Sequence, residues 1–499
     1  MSRIGIDFGT TNSYCAFYSK EGDNGLMNIM KSNKPEPSLF FFKQNIGELY
    51  GEKCNDYIST LPNYVIKSIK GMLEGDKFIN IDGKSFEKTY IVRKYIEYLI
   101  NNVANIKLES MYEDAVDEVV LSFPVGFSED YKTKIKKAVE EIYVKNSTVY
   151  KIKVIAMIEE PVAAAIHYFY IMQEKNIKVS DNVLVYDLGG GTFDVAIVHR
   201  DTDSNMLKVV DHMGKKKLGG DQWDQLLAEY VLKRLESECL AEDQKKEVQS
   251  IKEESREYSK FLIKIENLKK RLSDDEEIVL SLECGYSLKI NRTEFESITK
   301  YLMDETIDIC KKIIQNNADC EINQLILCGG STYMPMVKEQ LSKNFPGMKM
   351  NLHYPESSVA FGDILYKEDN NITTVLKTNH SYGTNLFIQE LGINKIKNVI
   401  YFNETLPLEK KDIYFTNQDG DYVSYKIYEG DVREDGEVYS DLNSQKLLKA
   451  FIFKFKYSVP MGTKMNVVYT LDEMGLLSLE VHSDHHDDQR FEIKVFNYD

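Results

Sequence analysis

The chain has 499 residues, 43% of them hydrophobic and 28% charged, which is the composition of an ordinary globular protein with room for about three domains. Its formal net charge of −17 argues against a protein that holds nucleic acid by neutralising phosphates. No apolar run reaches the roughly 18 residues of a membrane-spanning helix, and the seven cysteines show no metal-binding spacing. We therefore expect an acidic cytoplasmic protein whose partners include neither nucleic acid nor a membrane.

Two segments of the chain share one plan. Residues 3–18, "RIGIDFGTTNSYCAFY", and residues 182–198, "NVLVYDLGGGTFDVAIV", each hold an apolar strand that ends in aspartate, a Gly/Thr turn and a second apolar strand. The first begins almost at the N-terminus, so we expect no signal peptide. A repeat at a distance of about 180 residues is too long for a solenoid and predicts two related α/β halves.

Strand and helix patterns alternate between and beyond these hairpins. Residues 117–127 are typical of a buried strand that ends at Pro124, and residues 128–143 predict an amphipathic helix with Ser128 as its N-cap. The charge-rich stretch 222–273 predicts exposed helices. Residues 322–341 predict a strand, a glycine turn and a helix, an arrangement that contacts phosphate or a nucleoside in many proteins.

The sequence pattern changes near residue 367. A short polar stretch that is typical of a linker comes first, and strict alternation follows, with Phe451, Phe453 and Phe455 on one strand face. No long helix is predicted beyond the linker. The predicted boundaries are 1–368 for an α/β domain, 369–380 for the linker and 381–499 for a small all-β domain.

Three consecutive glycines, Gly189, Gly190 and Gly191, follow the strand that ends in Asp187. Because glycines cost conformational entropy on folding, we expect backbone angles here that other residues resist. Two interpretations of this segment alone remain equally open. It is either a tight hairpin turn or a loop whose N–H groups surround an anion such as phosphate.

Three carboxylates stand beside strand ends or turns, namely Asp7 in "GIDFGTT", Glu160 in "IEEPVAAAIHY" and Asp187 in "VYDLGGGT". A single aspartate before a turn usually serves the turn alone. Three that converge on one cleft can hold Mg²⁺, largely through water. Two glycine-rich hairpins that face each other can clamp a polyphosphate with backbone amides. The combination favours phosphate binding.

Six segments occur together in an order and spacing that identify a family: "IGIDFGTTNS", "VYDLGGGTFDVAIV", "IEEPVAAAIHY", "KLGGDQWD", "IENLKKRLS" and "LCGGSTYMP". Over residues 3–366 the chain resembles the seventy-kilodalton heat-shock chaperone family, the DnaK-like branch of the actin and sugar-kinase superfamily. The resemblance implies an actin-like, duplicated ribonuclease H-like ATPase domain. The β part is more faintly similar to the family's peptide-binding sandwich, for example in "SYGTNL" and "YTLDEMGLLSLEVH".

The resemblance also implies roles for individual residues. Lys70 would orient the attacking water and offset charge on the γ-phosphate, with Glu160, Asp187 and Thr192 as further catalytic residues. Mg²⁺, its waters and K⁺ would be organised by Asp7, Glu160, Asp187 and Asp194. ATP or ADP would be bound by Gly9, Thr10, Thr11, Asn12, Gly189, Gly190, Gly191, Thr192, Gly219, Gly220, Asp221, Glu266, Lys269, Lys270, Ser273, Gly329, Gly330, Ser331 and Tyr333.

Some of these residues have a second interpretation. The set from Glu266 to Ser273 is predicted on one helical face, which on pattern alone is a solvated stripe and by resemblance contacts adenosine. Asp194 has an equal claim to a structural role in its hairpin. Tyr333 stands where the family usually has arginine, so we expect its ring to stack on adenine. Pro124 matches the family's switch proline between the two halves.

The implied function is that of an ATP-dependent chaperone active in protein folding and the stress response. ATP hydrolysis would control the binding of unfolded or partner protein by the β domain. A J-domain cochaperone and a nucleotide-exchange factor are implied partners, although Lys132 stands where the family often has arginine. An ATP-switched module with one dedicated partner remains the main alternative, and a small-molecule kinase is less favoured.

Other segments depart from the family pattern. The linker has few apolar residues, Val375 and Leu376 among them, so we expect weak coupling between the domains. Tyr425 falls near the family's substrate pocket, as do Phe387 and Val423, and either shrinks the pocket or belongs to the core. The sequence ends soon after the β domain, so we expect a truncated form without the helical lid. Residues 481–491, rich in His and Asp, predict a solvated loop more than a metal site.

Overall fold

The computed structural model of the protein forms two compact units. It describes residues 2–19, 25–30, 34–73, 75–105, 108, 115–124, 127, 129–201, 206–352, 354–368, 373–375, 377–378, 380–388, 392–402, 404–433, 438–472, 475–483 and 486–495. The first unit comprises Met1–Val125 and Lys137–Thr373, and the second comprises Gly126–Lys136 and Thr374–Asp499.

The described chain up to residue 368 alternates strands and helices. Its strands are β1 (Ser2–Phe8), β2 (Asn12–Tyr18), β3 (Leu26–Asn28), β4 (Glu36–Pro37), β5 (Phe40–Lys43), β6 (Gly47–Tyr50), β7 (Val65–Ile66), β8 (Phe78–Ile81), β9 (Lys84–Glu87), β10 (Val116–Phe123), β11 (Lys153–Glu159), β12 (Asn182–Leu188), β13 (Thr192–Asp201), β14 (Met206–Lys216), β15 (Glu277–Ser281), β16 (Ser287–Asn291), β17 (Gln324–Cys328) and β18 (Lys349–Asn351).

The α-helices of the same stretch are α1 (Asn55–Thr60), α2 (Lys88–Tyr98), α3 (Glu129–Glu140), α4 (Glu160–Glu174), α5 (Gly220–Glu238), α6 (Glu242–Glu253), α7 (Ser255–Arg271), α8 (Arg292–Asn316), α9 (Pro335–Asn344) and α10 (Ser358–Glu368). Short 3₁₀ helices lie at Gly51–Cys54, Pro62–Tyr64, Gly71–Leu73 and Gly330–Tyr333, and a π-helical turn at Leu99–Ala104.

The strands that follow are β19 (Thr373–Val375), β20 (Ser381–Ile388), β21 (Ile393–Ile400), β22 (Leu408–Phe415), β23 (Gly420–Gly430), β24 (Tyr439–Ser440), β25 (Lys446–Val459), β26 (Lys464–Leu471), β27 (Leu477–Ser483) and β28 (His486–Lys494), with a 3₁₀ turn at Leu442–Ser444.

Two sheets of the first unit share one topology, with strands in the orders β11-β10-β1-β2-β3 and β18-β17-β12-β13-β14. In each sheet an antiparallel hairpin, β1–β2 or β12–β13, pairs on its other side with a parallel strand, β10 or β17. Asp7 and Asp187 therefore occupy equivalent positions near the ends of β1 and β12. This arrangement confirms the predicted α/β fold with two related halves.

The central parallel strands β12 and β17 are largely buried on both faces. All five residues of β17 are buried, as are Val183, Leu184 and Val185 of β12. Such strands consist mostly of apolar residues because both faces of the sheet are covered. The sequence supplies these runs, so the core of each half forms around its parallel strands.

Helix α10 packs against both α4 and β1 at very short range. A Cβ atom on Gly362 would lie 1.8 Å from the carbonyl oxygen of Ala163 in α4, and a Cβ on Gly5 would lie 2.5 Å from the carbonyl oxygen of Ala360. Only glycine fits at either position, since real side chains do not approach a backbone oxygen so closely. These contacts fix β1 against α4, whose first residue is Glu160.

The second unit contains two antiparallel sheets with strands in the orders β24-β21-β20-β23-β25 and β22-β26-β27-β28. Buried and partly buried residues alternate strictly along β26 and β27. The buried side chains of both sheets, such as Phe453 and Tyr469, belong to one apolar core. The alternation therefore produces the predicted all-β sandwich.

The prediction of exposed helices over 222–273 is wrong for one face of each helix. Trp223 in α5 and Ile265 in α7 are fully buried, because these amphipathic helices pack on the core of the second half. None of the described helices combines the length and apolar character needed to cross a membrane. The predicted N-cap Ser128, Leu376 of the linker and residues 484–485 lie outside the described residues. The predicted solvated loop over 481–491 is wrong for residues 481–483 and 486–491, which belong to β27 and β28.

We predict that Gly362→Ala lowers the free energy of unfolding by about 1–3 kcal/mol, because the added methyl group must push α10 away from α4. Urea denaturation measured against Gly347→Ala provides the comparison, since a Cβ on Gly347 meets no atom within 4 Å. Equal urea midpoints for the two variants would contradict the proposed close packing.

Candidate functional site

The two glycine-rich hairpins border one cavity of about 110 Å³ in the first unit. Thirteen of the predicted site residues line it, namely Asp7, Gly9, Thr10, Thr11, Asn12, Lys70, Glu160, Asp187, Gly189, Gly190, Thr192, Gly329 and Gly330. The structure thus brings together both predicted phosphate loops, the three carboxylates and the lysine. The other predicted residues lie outside this lining.

The hairpin turns approach each other closely. A Cβ atom on Gly190 would lie 2.0 Å from the hydroxyl oxygen of Thr11, and one on Gly191 would lie 3.1 Å from the methyl group of Thr10. None of the three consecutive glycines has a positive φ angle, so the expectation of unusual backbone angles is wrong. The glycines provide space for the facing loop, which leaves backbone amides uncovered by side chains.

Lys70 and Glu160 form a buried ion pair in this cavity. The Nζ atom of Lys70 donates a hydrogen bond to Oε1 of Glu160 at 2.6 Å, and Lys70 is only 3% exposed. Glu160 lies in the first turn of α4, where the helix dipole favours a negative charge. Because the pair is buried, removal of one partner would leave an uncompensated charge. The arrangement fixes an ammonium group beside the glycine loops.

The aspartates around this ion pair are held in an environment that disfavours their charged form. Enclosure by the protein, followed by the nearby charge of Glu160, raises the pKa of Asp7 and that of Asp187 well above the usual range. The same two causes raise the pKa of the buried Asp194 to about 8. Lys70 acts in the opposite direction on all three. A bound cation would relieve this repulsion.

The donor set fits Mg²⁺, which prefers carboxylate oxygens and retains several waters. Among the described residues, no group of three His, Cys, Asp or Glu side chains is placed to hold a metal ion by itself. The remaining ligands would therefore be water and phosphate oxygens. The water-mediated site at Asp7, Glu160, Asp187 and Asp194 stays a prediction.

The N-terminus of α5 packs directly on the second glycine loop. The backbone N–H of Asp221 donates to the carbonyl oxygen of Gly190 at 2.8 Å, and Ser331 Oγ donates to the carbonyl oxygen of Gly189 at 2.8 Å. A Cβ on Gly219 would lie 2.6 Å from the carbonyl oxygen of Gly190. Predicted residues from two segments therefore form a second layer that supports the loop.

The residues predicted to contact adenosine lie beside this layer. Lys269 donates to Asp224 at 2.7 Å and to the carbonyl oxygen of Gly220 at 2.9 Å, and Lys270 pairs with Glu266. Ser273 is not part of their helix, because α7 ends at Arg271 and Ser273 follows in a turn.

Several residues of this region were not predicted from the sequence. Tyr14, Pro35, Pro355, Glu356 and Val359 line the cavity together with Pro124. Only the general position of Tyr14, directly after the first phosphate loop, could have indicated it.

Asp363 was also missed, although an aspartate in the apolar run "SVAFGDILY" is a signal in itself. It is fully buried in α10, and neither carboxyl oxygen has a hydrogen-bond partner in the described structure. Burial and the charge of Asp7 raise its pKa.

In the second unit, Tyr425 belongs to the core. Its hydroxyl shares a hydrogen bond with that of Tyr469, which is also 3.0 Å from the hydroxyl of Tyr414. Val423 packs partly buried against the same core, whereas Phe387 is 59% exposed. The interpretation of Tyr425 as a core residue therefore agrees with the structure. Lys132 of α3, which stands where the family often has arginine, is also buried.

Comparison with known proteins explains this combination of cleft and sandwich. A family model described as Hsp70 protein matches residues 3–497. The chain belongs to the Hsp70 family. It is 28% identical to the chaperone protein DnaK of Mycoplasma mycoides, covering 95% of this chain and 76% of that protein. It is 26% identical to a chaperone protein HscA homolog of Acinetobacter baylyi, covering 84% of this chain and 66% of that protein. Members of the Hsp70 family are ATPases that bind ATP or ADP with Mg²⁺.

We predict that the nucleotide-free and metal-free protein loses stability as the pH rises from about 5 to 8.5. Asp194 has a folded pKa of about 8 and an unfolded pKa near 3.9. In that window the folded protein holds a proton that the unfolded chain has released, so its stability falls with rising pH.

Melting temperatures in EDTA across this pH range test the prediction. Asp194→Asn should show a smaller fall than the wild type, whereas Asp181→Asn, at an exposed aspartate, should follow the wild type. A fall of the same size in Asp194→Asn as in the wild type would exclude Asp194 as a cause.

Proposed function

We propose that the protein is an ATP-dependent chaperone of the Hsp70 type. Its first part would hydrolyse ATP to ADP and phosphate and so control the binding of unfolded or partner protein by its β sandwich. The observation that carries this proposal is the buried Lys70–Glu160 ion pair in a cavity bordered by two glycine-rich hairpins. The relatives DnaK and HscA are both named as chaperone proteins, which supports the same function.

The residues would act as follows. Backbone amides of the two hairpins would receive the phosphate groups. Lys70, fixed by Glu160, would direct its ammonium group at the γ-phosphate and the attacking water. Asp7, Asp187 and Asp194, with Glu160, would hold Mg²⁺ and K⁺ with their waters. Mg²⁺ supplies charge neutralisation for the phosphate oxygens when it is bound.

The domain boundaries predicted from the sequence assign a separate role to each part of the chain. Residues 1–368 would form the ATPase domain, 369–380 the linker and 381–499 the substrate-binding domain. The second layer around α5 and Ser331 would hold the phosphate loop in place. Glu266, Lys269, Lys270, Ser273 and Tyr333 would lie around the adenosine. A J-domain cochaperone and a nucleotide-exchange factor would be further partners in the cytoplasm.

We predict that Lys70→Ala reduces the ATP turnover number by about 100-fold or more, because it removes a positive charge held where negative charge develops. Steady-state phosphate release with Mg²⁺ and K⁺ measures this, with Lys246→Ala as a control at an exposed lysine. Melting temperatures show whether Lys70→Ala is folded, and Lys70→Arg tests whether charge alone suffices. A turnover number unchanged in folded Lys70→Ala would contradict the assigned role.

We further predict that a reduced, unfolded protein raises the Lys70-dependent rate of hydrolysis, because the β sandwich would transmit substrate binding to the ATPase. The measurement compares rates with and without the unfolded protein and repeats them with its folded form. If the rate depends on Lys70 but ignores unfolded protein, the protein is an ATP-switched module with a dedicated partner.

A further inference from the structure

Ser38, which lies between β4 and β5, contacts the first glycine-rich hairpin through both its side chain and its backbone. Its hydroxyl donates to the carbonyl oxygen of Gly9 at 2.8 Å, and its backbone N–H donates to the carbonyl oxygen of Thr11 at 2.8 Å. Ser38 is fully buried, so bulk water does not compete for either contact. One residue outside the hairpin therefore holds two of its carbonyl groups.

The contact with Gly9 determines where the next backbone amide points. A trans peptide unit is planar, and its C=O and N–H groups point in opposite directions. Because Ser38 binds the carbonyl group of Gly9, the N–H of Thr10 points away from Ser38. Gly9 and Thr10 line the cavity, whereas Ser38 is not among the described residues that line it. The N–H of Thr10 is therefore directed at the cavity.

The second glycine-rich hairpin has an equivalent contact. The hydroxyl of Ser331 donates to the carbonyl oxygen of Gly189 at 2.8 Å, and Gly189 occupies the position in the β12–β13 hairpin that Gly9 occupies in the β1–β2 hairpin. The two serines come from different segments, since Ser331 follows β17. A serine hydroxyl on the same carbonyl group of both hairpins indicates that the orientation of this peptide serves the cavity.

Ser38 also contacts the segment that carries Lys70. The backbone N–H of Ile69, the residue before Lys70, donates to the carbonyl oxygen of Ser38 at 3.3 Å. Ile69 is fully buried, and Lys70 lines the same cavity as the hairpin. The hydrogen-bonding groups of Ser38 thus join the first glycine-rich hairpin directly to the backbone beside the lysine.

Ser38 is itself held in place by its neighbours. The hydroxyl of the fully buried Tyr95 donates to the carbonyl oxygen of Pro37 at 3.0 Å, and the hydroxyl oxygen of Ser13 lies 3.0 Å from that of Ser38. Because the single hydroxyl hydrogen of Ser38 goes to Gly9, Ser13 is the donor in this contact. The hydroxyl of Ser38 therefore has one defined orientation.

We propose that Ser38 is a positioning residue for ATP hydrolysis, whose hydroxyl holds the first glycine-rich hairpin in register with Lys70. The inference rests on the proposed function, in which this hairpin and Lys70 act on the same phosphate groups. Donors that are already oriented need no rearrangement during the reaction. A hairpin that is free to tilt away from Lys70 therefore lowers kcat.

The test compares kcat for the hydrolysis of Mg²⁺–ATP by variants of the full chain. Ser38→Ala should lower kcat about 3- to 10-fold, the range expected for the loss of one hydrogen bond. Ser13→Ala leaves Ser38 in place but removes the donor that orients its hydroxyl, so it should lower kcat by a smaller factor.

Thr299→Val is the matched control. It removes a hydroxyl that is equally buried and donates to a backbone carbonyl oxygen at 2.8 Å, but lies in α8 and outside the described cavity lining. This variant should keep the wild-type kcat. Melting temperatures of all variants, measured in parallel, show that they are folded.

A double-mutant cycle separates positioning from general destabilisation. In a Lys70→Ala background, Ser38→Ala should change the single-turnover rate of phosphate release less than 2-fold, because the group with which the hairpin must be in register is gone. A serine that only stabilises the fold would lower the rate by the same factor with and without Lys70.

Three results would overturn the inference: an unchanged kcat in Ser38→Ala, an equal loss in the presence and absence of Lys70, or the same loss in Thr299→Val. In each case the wild type still hydrolyses ATP, so the proposed function survives. If the wild type does not hydrolyse ATP with Mg²⁺ and K⁺, the proposed function itself fails.

Discussion

The concentration of carboxyl groups around a single buried ammonium group constrains the whole first unit. Asp7, Asp187, Asp194 and Asp363 each have a raised pKa, and Lys70 is the positive charge that lowers all four. Like charges enclosed by protein repel strongly, so such a cluster persists only when the backbone around it cannot relax. In the absence of a ligand, protonation relieves part of that repulsion, and the surrounding packing has to resist the rest.

That resistance comes from backbone contacts that exclude side chains. Gly5 and Gly362 let β1, α10 and α4 meet at distances that only glycine permits, and these are the elements that carry Asp7, Asp363 and Glu160. In the second half, Gly190 and Gly219 allow the predicted phosphate loop and the N-terminus of α5 to approach each other equally closely. Groups that repel each other are therefore held by elements that have almost no freedom to separate, which is the usual basis of a preorganised charge-binding site.

Features of the fold and the site could be predicted from the sequence where they depend on residues that are close along the chain. They could not be predicted where they depend on contacts between distant residues. Asp7 and Asp187 could be predicted, because each closes an apolar strand before a Gly/Thr turn and the duplicated topology places them alike. The sandwich was predictable for the same local reason, strict alternation along single strands. Ser273 was predicted on a helix but lies two residues beyond its end at Arg271, a boundary that the local pattern does not define.

Long-range contacts explain the rest. Nothing local distinguishes Lys70 from other lysines, and its assignment required the resemblance to a family. The hydrogen-bonded residues Tyr14 and Glu356 are 342 positions apart, so no window of sequence could have paired them. The three glycines were expected to need unusual backbone angles, whereas their requirement for space becomes visible only when Thr10 and Thr11 face them.

The burial of Trp223 has a practical consequence. Trp223 is the only tryptophan of the chain, and it is fully buried near the start of α5. Asp221, the second residue of the same helix, donates its backbone N–H to the carbonyl oxygen of Gly190 in the predicted phosphate loop. The tryptophan emission of the entire chain therefore originates from one apolar point within the second half. The protein therefore carries an intrinsic fluorescent reporter whose spectrum follows the local environment of a single helix and contains no tryptophan emission from the β sandwich.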